Sequence, residues 1–277
     1  MIRLLALLCS LLPPSLLPAA DAPNPLAIRL FAETRGIQAG GTFFVGLHLR
    51  HPAGAHTYWK HPGIVGLATQ VEWELPPGFV AGPIQWPAPE IVTMAIYQAQ
   101  GYHGETLLLI PLTAPAGLAD KPVTLTAKVS WMCCAKTCHP AAKVPLSVTL
   151  PVTATAELDP ATRPLFAKFR ALVPQRDPAW QATVKRDQHR ILLTLRPPGT
   201  QAPASSPAGI RFFTADGQVD SNQPQPIELL PDGGIRLTLA LSESAPPAPA
   251  TLPGVLGFPN GWPAGGKPFA IEIDPAY

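Results

Sequence analysis

Four cysteines occur among 277 residues, and three of them crowd into one segment, Trp131-Met132-Cys133-Cys134-Ala135-Lys136-Thr137-Cys138-His139-Pro140. Three clustered thiols cannot staple a chain of this length, so they mark a site rather than a scaffold. Two chemistries suit them, disulfide exchange and soft-metal binding. The three residues between Cys134 and Cys138 fit a tight β-hairpin loop, and directly opposed residues of an antiparallel pair lie ~4.5–5.5 Å apart, within reach of a disulfide. The stretch Val123–Cys134 alternates strictly. Val123, Leu125, Ala127, Val129, Trp131 and Cys133 should face a core, while Thr124, Thr126, Lys128, Ser130, Met132 and Cys134 face outward. This predicts a packed Cys133 thiol and an accessible Cys134. A vicinal Cys133–Cys134 bridge is the alternative, and it would require a strained peptide. A bridge across so short a loop stabilises little, which argues against a purely structural staple. Lys136 and His139 place positive or polarisable groups beside the sulfurs and favour the thiolate.

Other side chains are candidates for support. His56, Tyr58, Trp59 and His61 precede Pro62-Gly63 and read as a loop shielding the cysteines; plain sandwich packing is the competing reading. Tyr102, His103 and Glu105 open a strand, where the carboxylate would take protons during exchange or simply be a solvated edge. Six of seven histidines precede residue 140. With Met132, Cys133, Cys134, Cys138 and His139 they supply the soft donors that select Cu(I), so copper binding or delivery is the rival function, and a non-catalytic interaction module with a merely stapled sandwich is the third. There is no Gly-x-Ser-x-Gly, phosphate-binding glycine loop or His-Glu-x-x-His.

These residues need a frame, and composition narrows it. Hydrophobic residues make up 47% and prolines number 37, so the chain can bury a core but not in long helices. Twenty basic against 18 acidic side chains give a net charge of +2, which leaves no footprint for nucleic acid. Residues 1–22 carry Arg3, an apolar run broken by Pro13, Pro14 and Pro18, and small residues at Ala19, Ala20 and Ala22. That order predicts a signal peptide, removed together with Cys9, and an exported, periplasmic protein whose mature chain has no membrane span. Short strands between Pro/Gly turns fill residues 23–155 as a β-sandwich. A second β-rich unit with one helix is expected over 157–277, the helix capped by Asp159 with Pro160 in its first turn. Connectors at 197–208 and 245–253 are rich in Pro, Ala and Ser.

The ordered motifs resemble one family. Trp131-x-x-Cys134-x-x-x-Cys138-x-Pro140 is similar to the cysteine motif of the N-terminal domain of the thiol:disulfide interchange protein DsbD. So are His56-x-Tyr58-Trp59-x-x-Pro62-Gly63-x-x-Gly66, Val71–Phe79, Ile84–Pro89 and Gly101–Glu105. The resemblance spans about residues 25–152. It implies an immunoglobulin-like redox domain in which Cys134 and Cys138 relay two electrons. It further implies a separate membrane-embedded thiol reductase as donor, oxidised thioredoxin-fold or other periplasmic proteins as acceptors, and no organic cofactor.

Overall fold

In the computed structural model, residues 25–199, 209–262 and 267–277 are described. The expected signal peptide, Cys9 and part of the 197–208 connector lie outside them. Ten strands come first: β1 (Ala27–Ala32), β2 (Thr42–Arg50), β3 (His56–Gly63), β4 (Gln70–Glu74), β5 (Val80–Ala81), β6 (Glu90–Met94), β7 (Tyr97–His103), β8 (Glu105–Thr113), β9 (Val123–Cys134) and β10 (Cys138–Leu150). One sheet runs β1-β2-β8-β5. The other runs β10-β9-β3-β7-β6, with β4 also pairing β9. The chain is all-β, and this first unit is an immunoglobulin-like sandwich.

Its core comes from the inward positions of alternating strands. Val45, Leu47 and Leu49 of β2 and Leu108, Ile110 and Leu112 of β8 meet Leu125, Ala127, Val129 and Trp131 of β9. Strand β8 departs from apolar/polar alternation, because its other face is covered as well. Leu107 and Leu109 pack against Phe166 and Phe169 of the helix α1 (Arg163–Arg170). That explains the unbroken apolar run Leu107–Ile110, as a strand buried on both faces needs no polar side. The helix expected to belong to the second unit therefore roofs the first. Its N-cap is Thr162, not Asp159; Asp159 instead tightens the preceding turn by accepting the Ala161 N–H at 3.0 Å.

The remaining strands are β11 (Gln181–Arg186), β12 (Arg190–Arg196), β13 (Arg211–Thr214), β14 (Ile227–Leu229), β15 (Ile235–Ala240), β16 (Gly254–Phe258) and β17 (Phe269–Ile273). They form the sheets β11-β12-β15-β14 and β13-β16-β17. A separate core of Ile191, Leu193, Leu195, Leu237, Leu239, Leu256 and Phe258 holds them together. From this second group, Phe213 and Val255 insert into the core of the first.

The seam between the groups is polar at β7. There β3 bulges opposite Gln100, its pairing with β7 shifting between Tyr58 and Gly63, and it ends opposite Ala99, one residue short of Gln98. The loop 220–222 supplies the missing partners. Ser221 Oγ donates to Gln98 O at 3.0 Å, and Gln98 N–H donates to Asn222 Oδ1 at 2.9 Å. Gln100 Nε2 donates to His61 O (2.7 Å) and Thr214 O (3.2 Å).

Candidate functional site

The site forms at the end of the β9–β10 hairpin. Cys134 and Cys138 stand directly opposite each other in the ladder, and Ala135 N–H closes the three-residue turn onto Thr137 O at 2.9 Å. The pair is a disulfide with its Cα atoms 4.1 Å apart. Hairpin register therefore selects Cys134–Cys138 over the vicinal bridge. Cys133 points through the opposite face of β9 into the sandwich core, a fully buried free thiol that burial pushes up to about 11. Among the described residues no group of three or more His, Cys, Asp or Glu could hold a metal ion. The proposed copper set that included Cys133 is thus split between two faces of one strand.

The expectation of an accessible Cys134 fails. Cys134 is 0% exposed, and Cys138 is the half-buried member. Alternation placed Cys134 on the outer face, but that face has a cover of its own. There Cys134 forms one apolar cluster with Tyr58, Val92 and Ala99, against which Val65, Met94, Met132 and Cys138 pack. The Met94 Sδ lies 3.7 Å from Cys138 Sγ.

Two segments build this cover. The β3–β4 connection returns over Tyr58 so closely that Gly66, at φ 99°, leaves no room for a Cβ against the phenol ring. Gly63, at φ 94°, meets Ser221 in the same way. Both glycines of the His-x-Tyr-Trp-x-x-Pro-Gly-x-x-Gly segment are thus required by close approach as well as by backbone angle. The second segment is the β6–β7 hairpin, whose turn carries Ala95 at φ 55°. Sequence reasoning missed Met94, because no Gly, Asn or Pro announces that turn.

The supporting candidates separate into two groups. His56–Trp59 is strand, not loop. His56 opposes Cys134 in the ladder, is 1% exposed, and lies 3.2 Å from the Tyr58 hydroxyl through Nε2. Burial first, then the neighbouring His103 and His51, lowers its pKa to about 4. Its ring meets those of Tyr58 (5.2 Å) and His103 (5.9 Å) edge-on. Trp59 faces the other way, into the sandwich core. His61 belongs to the seam with the second group. His139 stands opposite Cys133, with Nε2 3.1 Å from Thr137 Oγ1, and Lys136 is exposed on the turn. Tyr102 and Glu105 lie outside the site. Tyr102 is in the core, donating to Pro87 O at 2.7 Å. Glu105 sits at the start of β8, where it binds Lys168 (3.1 Å) and His48 (3.0 Å).

Residues 30–150 match the family model described as thiol:disulfide interchange protein DsbD, N-terminal. The first sandwich is a DsbD-like N-terminal domain. The crystal structure of the N-terminal periplasmic domain of ScsB from Proteus mirabilis superposes with a TM-score of 0.60 at 15% identity, covering 94% of this chain and 96% of that one. The shared fold thus extends beyond the DsbD-like domain into the second group of strands. A protein of unknown function from Porphyromonas gingivalis W83 aligns over 92% of this chain and 100% of its own at 12% identity, with a TM-score of only 0.21. No curated protein matches the sequence. Among the described residues no helix is long and apolar enough to cross a membrane.

Proposed function

We propose that the DsbD-like domain is an exported thiol–disulfide exchange module that cycles through the Cys134–Cys138 pair. One observation carries the reading, the unequal burial of the two sulfurs. A donor thiolate can approach only Cys138 Sγ. Its attack forms a donor–Cys138 bond and breaks the bond to Cys134, which departs with the electron pair and takes up a proton. The donor's second thiolate then attacks the donor sulfur of the mixed disulfide and releases Cys138. The donor is left as a disulfide, and the pair has gained two electrons and two protons. Exchange with an oxidised acceptor runs the same steps backward.

The surroundings suit protein partners. The segments whose Val65 and Met94 pack against the Cys134 cluster also carry Ile64 and Leu67 (61% exposed) on one side, and Ile96 (80% exposed) and Tyr97 on the other. Exposed apolar side chains beside a polar rim mark docking surfaces. The residue order of positions 1–22 supports export to the periplasm. A membrane-embedded thiol reductase as donor and oxidised thioredoxin-fold or other periplasmic proteins as acceptors fit the family, and the exchange needs no resident cofactor.

Covalent trapping tests this. The Cys134→Ser protein keeps the reachable Cys138 and should accumulate mixed disulfides with its partners. The Cys138→Ser protein, left with a covered thiol, should trap at least tenfold less. Equal trapping, or trapping through Cys134 alone, would overturn the reading.

A further inference from the structure

Sequence composition makes one feature of the site conspicuous. The chain contains three methionines, of which Met1 opens it; the other two, Met94 and Met132, both pack against the apolar cluster that holds Cys134, as Cys138 does. They arrive from different strands. Met132 lies two positions before Cys134 on the same face of β9, and Met94 ends β6 with its Sδ 3.7 Å from Cys138 Sγ. Thioethers are adaptable fillers, but a gap beside a disulfide is filled equally well by Leu, which this chain uses freely elsewhere. What Leu cannot offer is a second kind of soft sulfur.

We infer that reduction of the Cys134–Cys138 bridge creates a Cu(I) site, with the two cysteine sulfurs and the thioethers of Met94 and Met132 as its donors. In the oxidised chain the cysteine sulfurs are bonded to each other and the site does not exist. Once a partner dithiol has delivered two electrons and two protons, Cu(I) displaces the two thiol protons and binds without changing its own oxidation state. Thiolate and thioether donors select Cu(I) over harder cations. The apolar walls of Tyr58, Val92, Ala99 and Val65 keep water from competing. Cys133 takes no part, as it lies on the opposite face of β9 within the core.

This inference rests on the exchange reading, since the bridge must open, but the two can fail separately. The test uses the full mature chain, reduced with dithiothreitol, desalted without oxygen, and titrated with Cu(I) held by the chromophoric chelator bicinchoninate. Reduced protein should withdraw one Cu(I) per chain and oxidised protein none. Met94→Leu and Met132→Leu conserve volume, and retention of the disulfide and of thermal stability verifies that each variant folds. Each should weaken binding at least tenfold, while Cys133→Ser leaves it unchanged. Binding by the oxidised chain, insensitivity to both methionine variants, or loss in Cys133→Ser would overturn the site. Rates of reduction by a thioredoxin-like dithiol, measured on the same samples, keep the readings distinct. Exchange without copper removes only the metal site. Copper binding without exchange removes only the relay.

Discussion

His56 couples the site to acidity, and the coupling has a definite size. Its imidazole is buried beside Cys134, Tyr58 and His103, and its pKa falls from 6.5 to about 4 because burial and two neighbouring histidines disfavour the cation. In the unfolded chain the ring titrates near its ordinary value. A depressed histidine costs nothing above the unfolded pKa. As the pH drops below 6.5 the unfolded chain binds a proton that the folded chain refuses, so stability is lost down to the folded pKa and then levels off. With one pKa unit equal to about 1.4 kcal/mol, the loss reaches about 2 kcal/mol at pH 5 and about 3 kcal/mol at pH 4. Urea unfolding at pH 7.5, 6, 5 and 4 measures it. The natural protein should lose this amount in addition to contributions from His48, His51 and His61, all of which are also lowered by burial. His56→Gln keeps a polar group near the Tyr58 hydroxyl but cannot titrate, so its curve should be flatter by the amount stated. A variant whose stability falls just as steeply between pH 6.5 and 4 would refute the assignment of the acid-sensitive group.

Three further outcomes are expected. Phe166 is fully buried between α1 and β8, and Phe166→Ala should cost about 3–5 kcal/mol in denaturant unfolding while leaving the disulfide formed. Gly63→Ala combines a positive φ with a collision at Ser221, so it should loosen the seam and speed proteolytic cleavage between the two groups of strands at unchanged secondary structure. After reduction, iodoacetamide at pH 8 should modify Cys138 first, with Cys133 remaining unmodified until urea is added, as followed by intact-mass spectrometry.

Much of the frame was legible because local pattern and burial agree. Strict alternation over Val123–Cys134 placed β9 to the residue and assigned Cys133 to the core, and a three-residue spacing placed the hairpin that joins Cys134 to Cys138. Alternation cannot reveal what lies above an outer face, however, and so Cys134 was misjudged as accessible. Its cover comes from β3, where Pro62-Gly63 read as a loop, and from the β6–β7 hairpin, whose Ala95 turn lacks the usual residues. Pro62 is tolerated because β3 bulges in its pairing with β7 there. Tyr102 and Glu105 group with the site in the sequence because they lie in the family-like segment Gly101–Glu105 and read as the opening of a strand. At the β7–β8 turn the chain passes from one sheet to the other, which carries Glu105 off to α1 and His48.

The loop 220–222 completes the ladder of β7 just where β3 abandons it. A fragment ending near residue 156 would leave the Gln98 amide and carbonyl bare and would uncover the seats of Phe213 and Val255. Open strand margins of that kind invite pairing with other chains. Excised alone, the first sandwich should therefore self-associate, whereas in the whole chain the second group of strands covers that margin.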